Sequence, residues 1–213
     1  MAKKRRKFPQ VLLVEGKDDE HVIYAFAVQK NLPHNFEVTD CRGIDKLFDL
    51  LPVQLKESDI ETVGVLVDAD TEAAARWQKL RHVLQASYSD LPVQLPTTGL
   101  VVPKTTTAPR IGVWVMPDNR LKGMLEDFLL FLVPPEDDLL ERVEQFLENI
   151  EKEQLHGYIN AHRSKARIHA WLSLQDDPGT PLGLAITKRY LSLEDEHAKA
   201  FENWLRRLFN EDV

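Results

Sequence analysis

The sequence predicts an α/β protein with a mostly parallel sheet flanked by helices and followed by a helical extension. Three observations support this fold class. The apolar segments at residues 8–14, 36–41 and 62–67 are continuous rather than alternating, which is typical of strands buried on both faces. Each is followed by a segment with helical spacing, and such alternation favours a parallel sheet. After Pro134 and Pro135 the patterns are helical alone.

The helices between these strands follow from spacing and capping signals. Residues 17–30 place apolar side chains at helical spacing and acids in the first turn, where the helix dipole favours negative charge. A second helix is expected from residue 44 to about 56, with Pro52 ending it early or kinking it. Thr71 is the expected N-cap of a third helix over residues 72–85.

The second half of the chain is mostly helical in pattern. Residues 95–110 are rich in proline and threonine and predict a loop or an irregular hairpin, and residues 111–117 predict another strand. Four further helices are expected, at residues 118–133, 135–153, 161–173 and 194–210. We therefore expect an α/β domain over residues 8–133 and a helical extension over residues 134–213 that packs on it.

Composition restricts the class of protein. The chain is 43% apolar and 29% charged, which is ordinary for a folded protein. Its net charge of −7 argues against a DNA-coating surface but not against a nuclease whose metal site concentrates acids. A single cysteine, Cys41, forms neither an internal disulfide nor a zinc site by itself. The basic run at residues 3–7 is either a flexible N-terminal segment that increases solubility or an arm that binds phosphate groups.

Location follows from two absences in the sequence. The apolar runs fall short of the roughly 20 residues that a membrane helix needs. The basic start of the chain is not followed by the apolar segment and cleavage site of a signal peptide. We therefore expect a cytoplasmic protein without membrane contact.

Carboxylates follow two of the predicted buried strands. Glu15 follows VLLV, and Asp68 and Asp70 follow GVLV. Open α/β sheets place their sites outside the carboxyl ends of the strands, and Gly16 is expected to give a tight exit that leaves room for a ligand. If the backbone stays extended, Asp68 and Asp70 point to the same side. Such oxygen ligands suit Mg²⁺ or Mn²⁺. The alternative is that these acids are only helix caps and loop residues.

The segments VLLVEGKDDEHV and VGVLVDADTEAA, in this order and context, resemble the Toprim domain. This Rossmann-like module is the catalytic part of type IA and type II topoisomerases, bacterial primases and OLD-family nucleases. The resemblance covers residues 8–133, and the EG-x-x-D spacing is closer to the OLD branch. The whole chain, including KARIHAWL and FENWLRRLF, is similar to stand-alone OLD-nuclease-like Toprim proteins whose function is not established.

The resemblance implies a role for several acids. Glu15 matches the glutamate that acts as a general acid or base or as a metal ligand, and Asp68 and Asp70 match the metal-binding pair. Asp19 falls where OLD-like proteins carry a further acid, with an aspartate here in place of a glutamate. In GMLEDFLL, Glu126 rather than its neighbour Asp127 falls where a later acid is found.

Basic residues near the strand ends complete the expected site. Lys104 and Lys122 are candidates for holding a phosphate. The SKARIH segment, which contains Lys165 and follows His162, is either a nucleic-acid contact or a solvated helix face. The chain lacks the Gly-rich Lys-Ser/Thr loop of an ATPase, and none of its tyrosines lies in a context that marks a topoisomerase nucleophile.

Two functions remain open at this point. The first is a Mg²⁺- or Mn²⁺-dependent phosphodiester hydrolase or phosphotransferase acting on nucleic acid, which is a Toprim-type nuclease. The second is a non-catalytic module that binds a nucleotide or nucleic acid within a defence or repair assembly. Either would have nucleic acid or a nucleotide as its partner, and homo-oligomers or a partner subunit are compatible with both.

Overall fold

The computed structural model describes residues 8–209, so the basic run at residues 3–7 and position 210 of the last predicted helix lie outside it. The centre of the molecule is a five-stranded sheet in the order β2-β1-β3-β5-β4. Its strands are β1 (Gln10–Val14), β2 (Glu37–Asp40), β3 (Thr62–Asp68), β4 (Leu100–Val102) and β5 (Arg110–Met116). All pairings are parallel except that of β4 with β5. The predicted α/β class is confirmed.

Helices cover both faces of this sheet. In chain order they are α1 (Lys17–Gln29), α2 (Ile44–Gln54), α3 (Ala73–Leu84), α4 (Leu125–Phe131), α5 (Asp138–Lys152), α6 (Arg163–Leu172), α7 (Leu182–Thr187) and α8 (Glu196–Phe209). A short 3₁₀-helix, Asn160–His162, precedes α6. Among residues 8–209, no helix has the length and apolar character needed to cross a membrane.

Two helix boundaries differ from the sequence prediction. The helix expected from residue 118 begins at Leu125. The preceding residues form a turn in which the Asp118 carboxylate accepts the backbone N–H groups of Arg120 and Leu121. Thr71 is not the N-cap of α3, because Glu72 occupies that position without a side-chain capping bond.

Two features left open by the sequence are also settled. The proline- and threonine-rich stretch contains the short strand β4, which pairs antiparallel with β5 at the sheet edge. Pro52 lies inside α2 without ending it, since the helix continues to Gln54. The three residues of β4 are too few to give a periodic signal in the sequence.

Alternate residues of the strands belong to two apolar clusters. Leu12 and Val14 of β1 pack in one cluster, and Val11 and Leu13 pack in the other. This division follows from the period of two in a strand, which sends successive side chains to opposite faces. The cluster around Leu12 also contains buried side chains from α4 to α8. The C-terminal helices therefore share a core with the sheet.

Helix α8 lies directly on the sheet over two glycines. A Cβ atom at Gly112 would lie 2.7 Å from the side chain of Leu208, and one at Gly64 would lie 2.9 Å from it. Such distances are too short for packed carbon atoms, so the missing side chains allow the close approach. This contact fixes the C-terminal segment against β3 and β5, the strands that end at the candidate site.

Candidate functional site

An acidic cleft of about 310 Å³ opens at the carboxyl edge of the sheet. We use the name acidic cleft for the space lined by Glu15, Gly16, Lys17, Asp18, Asp19, Asp68, Met124, Leu125, Glu126, His162 and Lys165. These residues come from the exits of β1 and β3 and from the starts of α1, α4 and α6. Four segments distant in sequence therefore meet where open α/β sheets place their sites.

Glu15 and Asp68 are joined through the main chain. One carboxylate oxygen of Glu15 accepts a hydrogen bond from the backbone N–H of Asp68 at 2.8 Å. One carboxylate oxygen of Asp68 in turn accepts from the backbone N–H of Leu125 at 3.0 Å. Since β1 and β3 are neighbours in the sheet, these two bonds fix the acids between β1, β3 and the start of α4.

Asp19 lies in the first turn of α1 and also lines the acidic cleft. Its carboxylate accepts the backbone N–H of Gly16 at 2.9 Å, so it caps the helix, and only 9% of the residue is exposed. The backbone of Gly16 is extended, with φ −145°, and a Cβ atom there would make an ordinary 3.5 Å contact with Asp19. The turn itself therefore does not require glycine. Gly16 lines the acidic cleft, and that it leaves room for a ligand stays a prediction.

The two later acids have different surroundings. Glu126, which is 4% exposed, lines the acidic cleft and pairs with the ammonium group of Lys165 at 3.1 Å. Asp127 instead accepts the backbone N–H of Met124 at 2.8 Å and the hydroxyl of Ser164. Asp127 thus caps α4 and ties it to α6, while Glu126 is the acid presented to the cleft.

Burial and mutual repulsion perturb the acids of the cleft. The pKa of Asp19 is raised to about 7, mainly by burial; the Gly16 N–H bond opposes the rise, and the nearby Glu15 and Glu126 carboxylates add to it. Burial also raises the pKa of Asp68 well above its ordinary value, with Asp19, Glu15 and Glu126 adding to the effect. These contributions show that the four carboxylates lie close enough to repel one another.

Glu15 and Lys165 are perturbed in the same electrostatic field. Burial raises the pKa of Glu15, although the Asp68 N–H bond and the Arg76 charge oppose that rise. Burial alone would lower the pKa of Lys165, but the Glu126 carboxylate raises it above its ordinary value. Lys165 therefore stays a cation that partly offsets the negative charge of the acidic cleft.

Asp70 lies outside the acidic cleft. β3 ends at Asp68, and the backbone turns into the left-handed region at Asp70, with φ 54°. The extended geometry that would align Asp68 with Asp70 is therefore not observed. The Asp70 side chain is 55% exposed and pairs with Arg76 of α3. Both charges still act on Glu15, since Arg76 lowers its pKa and Asp70 raises it.

The two predicted phosphate-holding lysines do not line the acidic cleft either. Lys104 follows β4 and pairs with Glu61, which precedes β3, at 3.3 Å. Because β4 runs antiparallel to its neighbour, the end of β4 lies at the amino edge of the sheet, opposite to the cleft. Lys122 is exposed in the connection between β5 and α4. It lies at the carboxyl edge of the sheet but does not line the acidic cleft.

Sequence reasoning named Lys165 only as part of a basic segment and did not place it opposite the acids. Lys165 reaches the acidic cleft from α6, and His162 lines it from the preceding 3₁₀-helix. The mildly basic SKARIH segment was the signal in the sequence, but its spacing does not reveal which strand end it approaches. The fold supplies that information by packing α6 against α4.

The chemistry of the acidic cleft fits a hard divalent cation. Its donors are carboxylate oxygens, which Mg²⁺ and Mn²⁺ prefer. Burial and neighbouring carboxylates raise the pKa of Asp19 and of Asp68, so the protein does not fully neutralise these two charges. Within residues 8–209, however, no three acidic, histidine or cysteine side chains are already arranged as a metal-holding group. Glu15 and Asp68 each accept a main-chain N–H group with one carboxylate oxygen, which leaves the second oxygen to ligate a cation.

The fold and this site define an α/β protein with a buried acidic cleft at the carboxyl edge of its sheet. Residues 9–210 match the model of a family described as a protein of unknown function, DUF3226, and the chain belongs to that family. No curated protein matches the chain.

The solved structures that resemble the chain include the C-terminal region of the OLD protein of Xanthomonas campestris pv. campestris. The form phased with iodine is 16% identical, covers 94% of this chain and 95% of the other, and has a TM-score of 0.44. The form phased with mercury is 18% identical, covers 92% and 86%, and has a TM-score of 0.38. The likeness is too distant to assign a function.

Proposed function

We propose that this protein is a Mg²⁺- or Mn²⁺-dependent phosphodiester hydrolase of Toprim type that acts on nucleic acid. The observation that supports it best is the meeting of Glu15, Asp19, Asp68 and Glu126 in one cleft, from three segments that are distant in sequence. Burying four carboxylates together is unfavourable unless they are protonated or neutralised by a cation. The Toprim-like sequence of the β1 and β3 exits agrees with this reading.

Asp19, Asp68 and Glu126 are the residues that would hold the metal. They offer hard oxygen donors from α1, β3 and α4, so that one ion would join three elements of the fold. A bound divalent ion would supply Lewis-acid stabilisation of a phosphate and would lower the pKa of a bound water. Lys165 pairs with Glu126 and balances part of the same charge.

Glu15 is the proposed general acid or base. Its raised pKa brings protonation closer to neutral pH, where proton transfer by a carboxyl group is most effective. The Asp68 N–H bond holds one of its oxygens and so orients the carboxyl group at the sheet edge. In phosphodiester hydrolysis this group would accept a proton from the attacking water or donate one to the leaving oxygen.

Lys165 and Lys17 are the proposed phosphate-binding cations. Both line the acidic cleft, and ammonium groups are point charges that bind phosphate oxygens well. Lys165 is 48% exposed although it pairs with Glu126, so it is accessible to a substrate phosphate from the open side. A phosphate would thus lie between the lysines and the ion held by the acids. The same arrangement would serve a phosphotransferase.

A second candidate is a module that binds nucleic acid or a nucleotide without turnover. The observation that favours it is the engagement of the Glu15 and Asp68 carboxylates by main-chain N–H groups. Those bonds give the two acids a structural role that requires no metal. This candidate shares the location of the phosphate with the first and differs in lacking cleavage.

The test combines metal and substrate with one matched pair of variants. Purified protein is incubated with single-stranded DNA, duplex DNA and RNA in Mg²⁺, in Mn²⁺ and in EDTA. Wild type and Glu61→Gln should cleave at least one substrate with a divalent ion, while Asp68→Asn should not. Glu61 is a suitable control because it is an exposed acid at the opposite edge of the sheet. Metal-dependent binding of nucleic acid without any cleavage would favour the second candidate.

A further inference from the structure

We propose that Arg42 and Lys122 bind backbone phosphates on either side of the acidic cleft, so that a single nucleic-acid strand runs along the carboxyl edge of the sheet. Arg42 follows β2, and Lys122 lies in the connection between β5 and α4. Both residues are exposed. The inference rests on the proposed function and deepens it, because it gives the path of the substrate beyond the cleft.

The backbone holds Arg42 next to Glu15. The N–H of Gly43 donates to the main-chain carbonyl of Glu15 at 2.7 Å. The N–H of Arg42 donates to the Asp40 carboxylate, also at 2.7 Å, and Arg42 has a left-handed backbone with φ 59°. This conformation is uncommon outside glycine, and the two bonds hold the loop in it. Arg42 is therefore positioned on the β2 side of the acidic cleft.

The connection that carries Lys122 is bound to the exit of β3. Gly123 and Asp70 exchange two main-chain hydrogen bonds, at 2.9 and 3.0 Å. Two residues later, Leu125 lines the acidic cleft and donates its N–H to the Asp68 carboxylate. Lys122 is therefore positioned on the β5 side of the acidic cleft, opposite to the side of Arg42.

The sheet order sets the order of these groups. Because β2, β1, β3 and β5 are consecutive neighbours and run parallel, their exits lie in a row at one edge. Glu15 and Asp68 lie at the two middle exits, and Arg42 and Lys122 follow the two outer strands. Three strand spacings of about 4.8 Å separate the outer strands by about 14 Å. At about 3.4 Å per nucleotide along one strand of B-DNA, this is the length of about four nucleotides, or of fewer in a more extended strand.

The charges of these two residues are available to a ligand. Arg76 and Arg120, at the same edge, already pair with carboxylates. Among residues 8–209, by contrast, the Arg42 guanidinium and the Lys122 ammonium group have no ion-pair or hydrogen-bond partner. Asp40, two residues before Arg42, binds its main chain rather than its guanidinium. Exposed cations of this kind bind backbone phosphates and release the counterions of the nucleic acid.

A single strand fits this row better than a duplex. Asp19 and Glu126 are only 9% and 4% exposed, so a phosphate must enter the acidic cleft to reach them. A flexible single strand can bend into a cleft of about 310 Å³, whereas a stiff duplex would have to be deformed. The net charge of −7 also opposes a wide contact that would include the second strand of a duplex.

The salt dependence of binding measures the number of phosphate contacts. Full-length protein is added to a fluorescein-labelled oligothymidylate of about eight nucleotides, twice the length of the row, at KCl concentrations from about 0.05 to about 0.3 M. Ca²⁺ replaces Mg²⁺, because it also prefers oxygen ligands and binding is then measured apart from cleavage. Fluorescence anisotropy gives Kd at each salt concentration, and the slope of log Kd against log[KCl] is compared between variants.

Arg42→Gln and Lys122→Gln should each reduce this slope by about 0.7 and weaken binding about fivefold at about 0.1 M KCl, because each removes one phosphate contact. The double variant should show about twice the change in slope. Arg42→Lys keeps the charge and should keep the wild-type slope. Lys104→Gln removes an exposed lysine at the opposite edge and should also bind as wild type does. Thermal melts check that every variant is folded.

Three results would overturn the proposal. The first is a double variant that keeps the wild-type slope, or a Lys104→Gln variant that loses as much slope as the double variant does. The second is tighter binding of a hairpin duplex of the same length than of the single strand. The third is the absence of any salt-dependent binding of the oligothymidylate.

These results are distinguishable from a failure of the proposed function. Loss of slope at Arg42 and Lys122 in a protein that cleaves no nucleic acid would leave the path of the strand assigned and remove the nuclease proposal. Metal-dependent cleavage that is equally fast and equally salt-dependent in wild type and the double variant would do the reverse.

Discussion

The two edges of the central sheet hold acidic residues in opposite electrostatic settings. At the amino edge, Glu61 is exposed and pairs with Lys104 at 3.3 Å. At the carboxyl edge, Asp68 and Asp19 are largely buried among other carboxylates, and main-chain N–H groups bind them. An exposed ion pair contributes little to stability, and its loss is tolerated. A group of buried like charges is unfavourable and suggests that the fold retains it for a ligand.

This comparison teaches that the position of an acid in the sheet is less informative than what neutralises it. Glu61 has its own cation, so it needs nothing further. Among the cleft-lining residues that the structure describes, the acids have one ion pair with a cation of the cleft, that of Glu126 with Lys165. We expect a substitution to have a smaller effect the further it lies from this excess of negative charge.

The largest effect is expected from removing the negative charge at Asp68. Asp68→Asn should reduce metal-dependent cleavage by at least about 10²-fold, because a ligand contributes at least as much as the partners that orient it. Initial rates of nucleic-acid cleavage in Mn²⁺ measure the loss. Glu61→Gln removes an acid at the opposite edge and should cleave at the wild-type rate. Equal losses in the two variants would show that the edges are not functionally different.

A divalent ion should stabilise the folded protein through the acidic cleft. Mn²⁺ at about one hundred times its Kd adds about 2.7 kcal/mol, which raises the Tm of a chain of this size by about 5–10 °C. Thermal melts with and without Mn²⁺ measure this shift. It should persist in Glu61→Gln and be much smaller in Asp68→Asn. A shift of the same size in both variants would place the ion elsewhere.

The metal-free protein should lose stability as the pH rises through the range in which its buried acids ionise. The folded-state pKa of Asp19 is about 7, above the value of about 3.9 in an unfolded chain. The folded state therefore binds this proton more tightly, and stability falls between about pH 4 and pH 7. From about pH 5.5 to pH 8 the loss due to Asp19 is about 2 kcal/mol, or about 5 °C in Tm.

Two controls separate this effect from other titrations. Asp19→Asn should show a flatter dependence of Tm on pH, because the group that ionises is absent. Saturating Mn²⁺ should also flatten it, since the ion favours the charged carboxylates. A wild-type Tm that rises over this pH range and is unaffected by Asp19→Asn would contradict the raised pKa.

The sequence predicted the sheet, its parallel strands and the meeting of Glu15 with the end of β3, because these depend on local apolar runs and on the fold class. It did not predict where Asp70 and Lys104 point. The first depends on a left-handed backbone at a residue that is not glycine, and the second on a three-residue antiparallel strand. Neither feature has a periodic signal.

The position of Lys165 was beyond sequence reasoning for a different reason. It requires knowing which strand end the helix α6 reaches. The packing of α6 against α4 brings Lys165 to Glu126, and this contact joins segments that are far apart in sequence.

The smallest effect is expected at Asp70, whose surroundings are intermediate between those of the exposed Glu61 and those of the buried acids of the acidic cleft. It is exposed and has its own cation, Arg76, yet both charges act on Glu15. Asp70→Asn removes a charge that raises the pKa of Glu15 and leaves Arg76, which lowers it. The pH–rate profile for cleavage should therefore move to lower pH, while the maximal rate should fall less than about tenfold.

Arg76→Met provides the opposite change and completes the comparison. It removes the charge that lowers the pKa of Glu15 and leaves that of Asp70, so the profile should move to higher pH. Shifts in opposite directions would show that Asp70 and Arg76 act on Glu15 through the field of a shared ion pair. If Asp70→Asn instead abolished cleavage as Asp68→Asn does, Asp70 would have to turn into the acidic cleft and act as a metal ligand, because a remote charge cannot produce so large a loss.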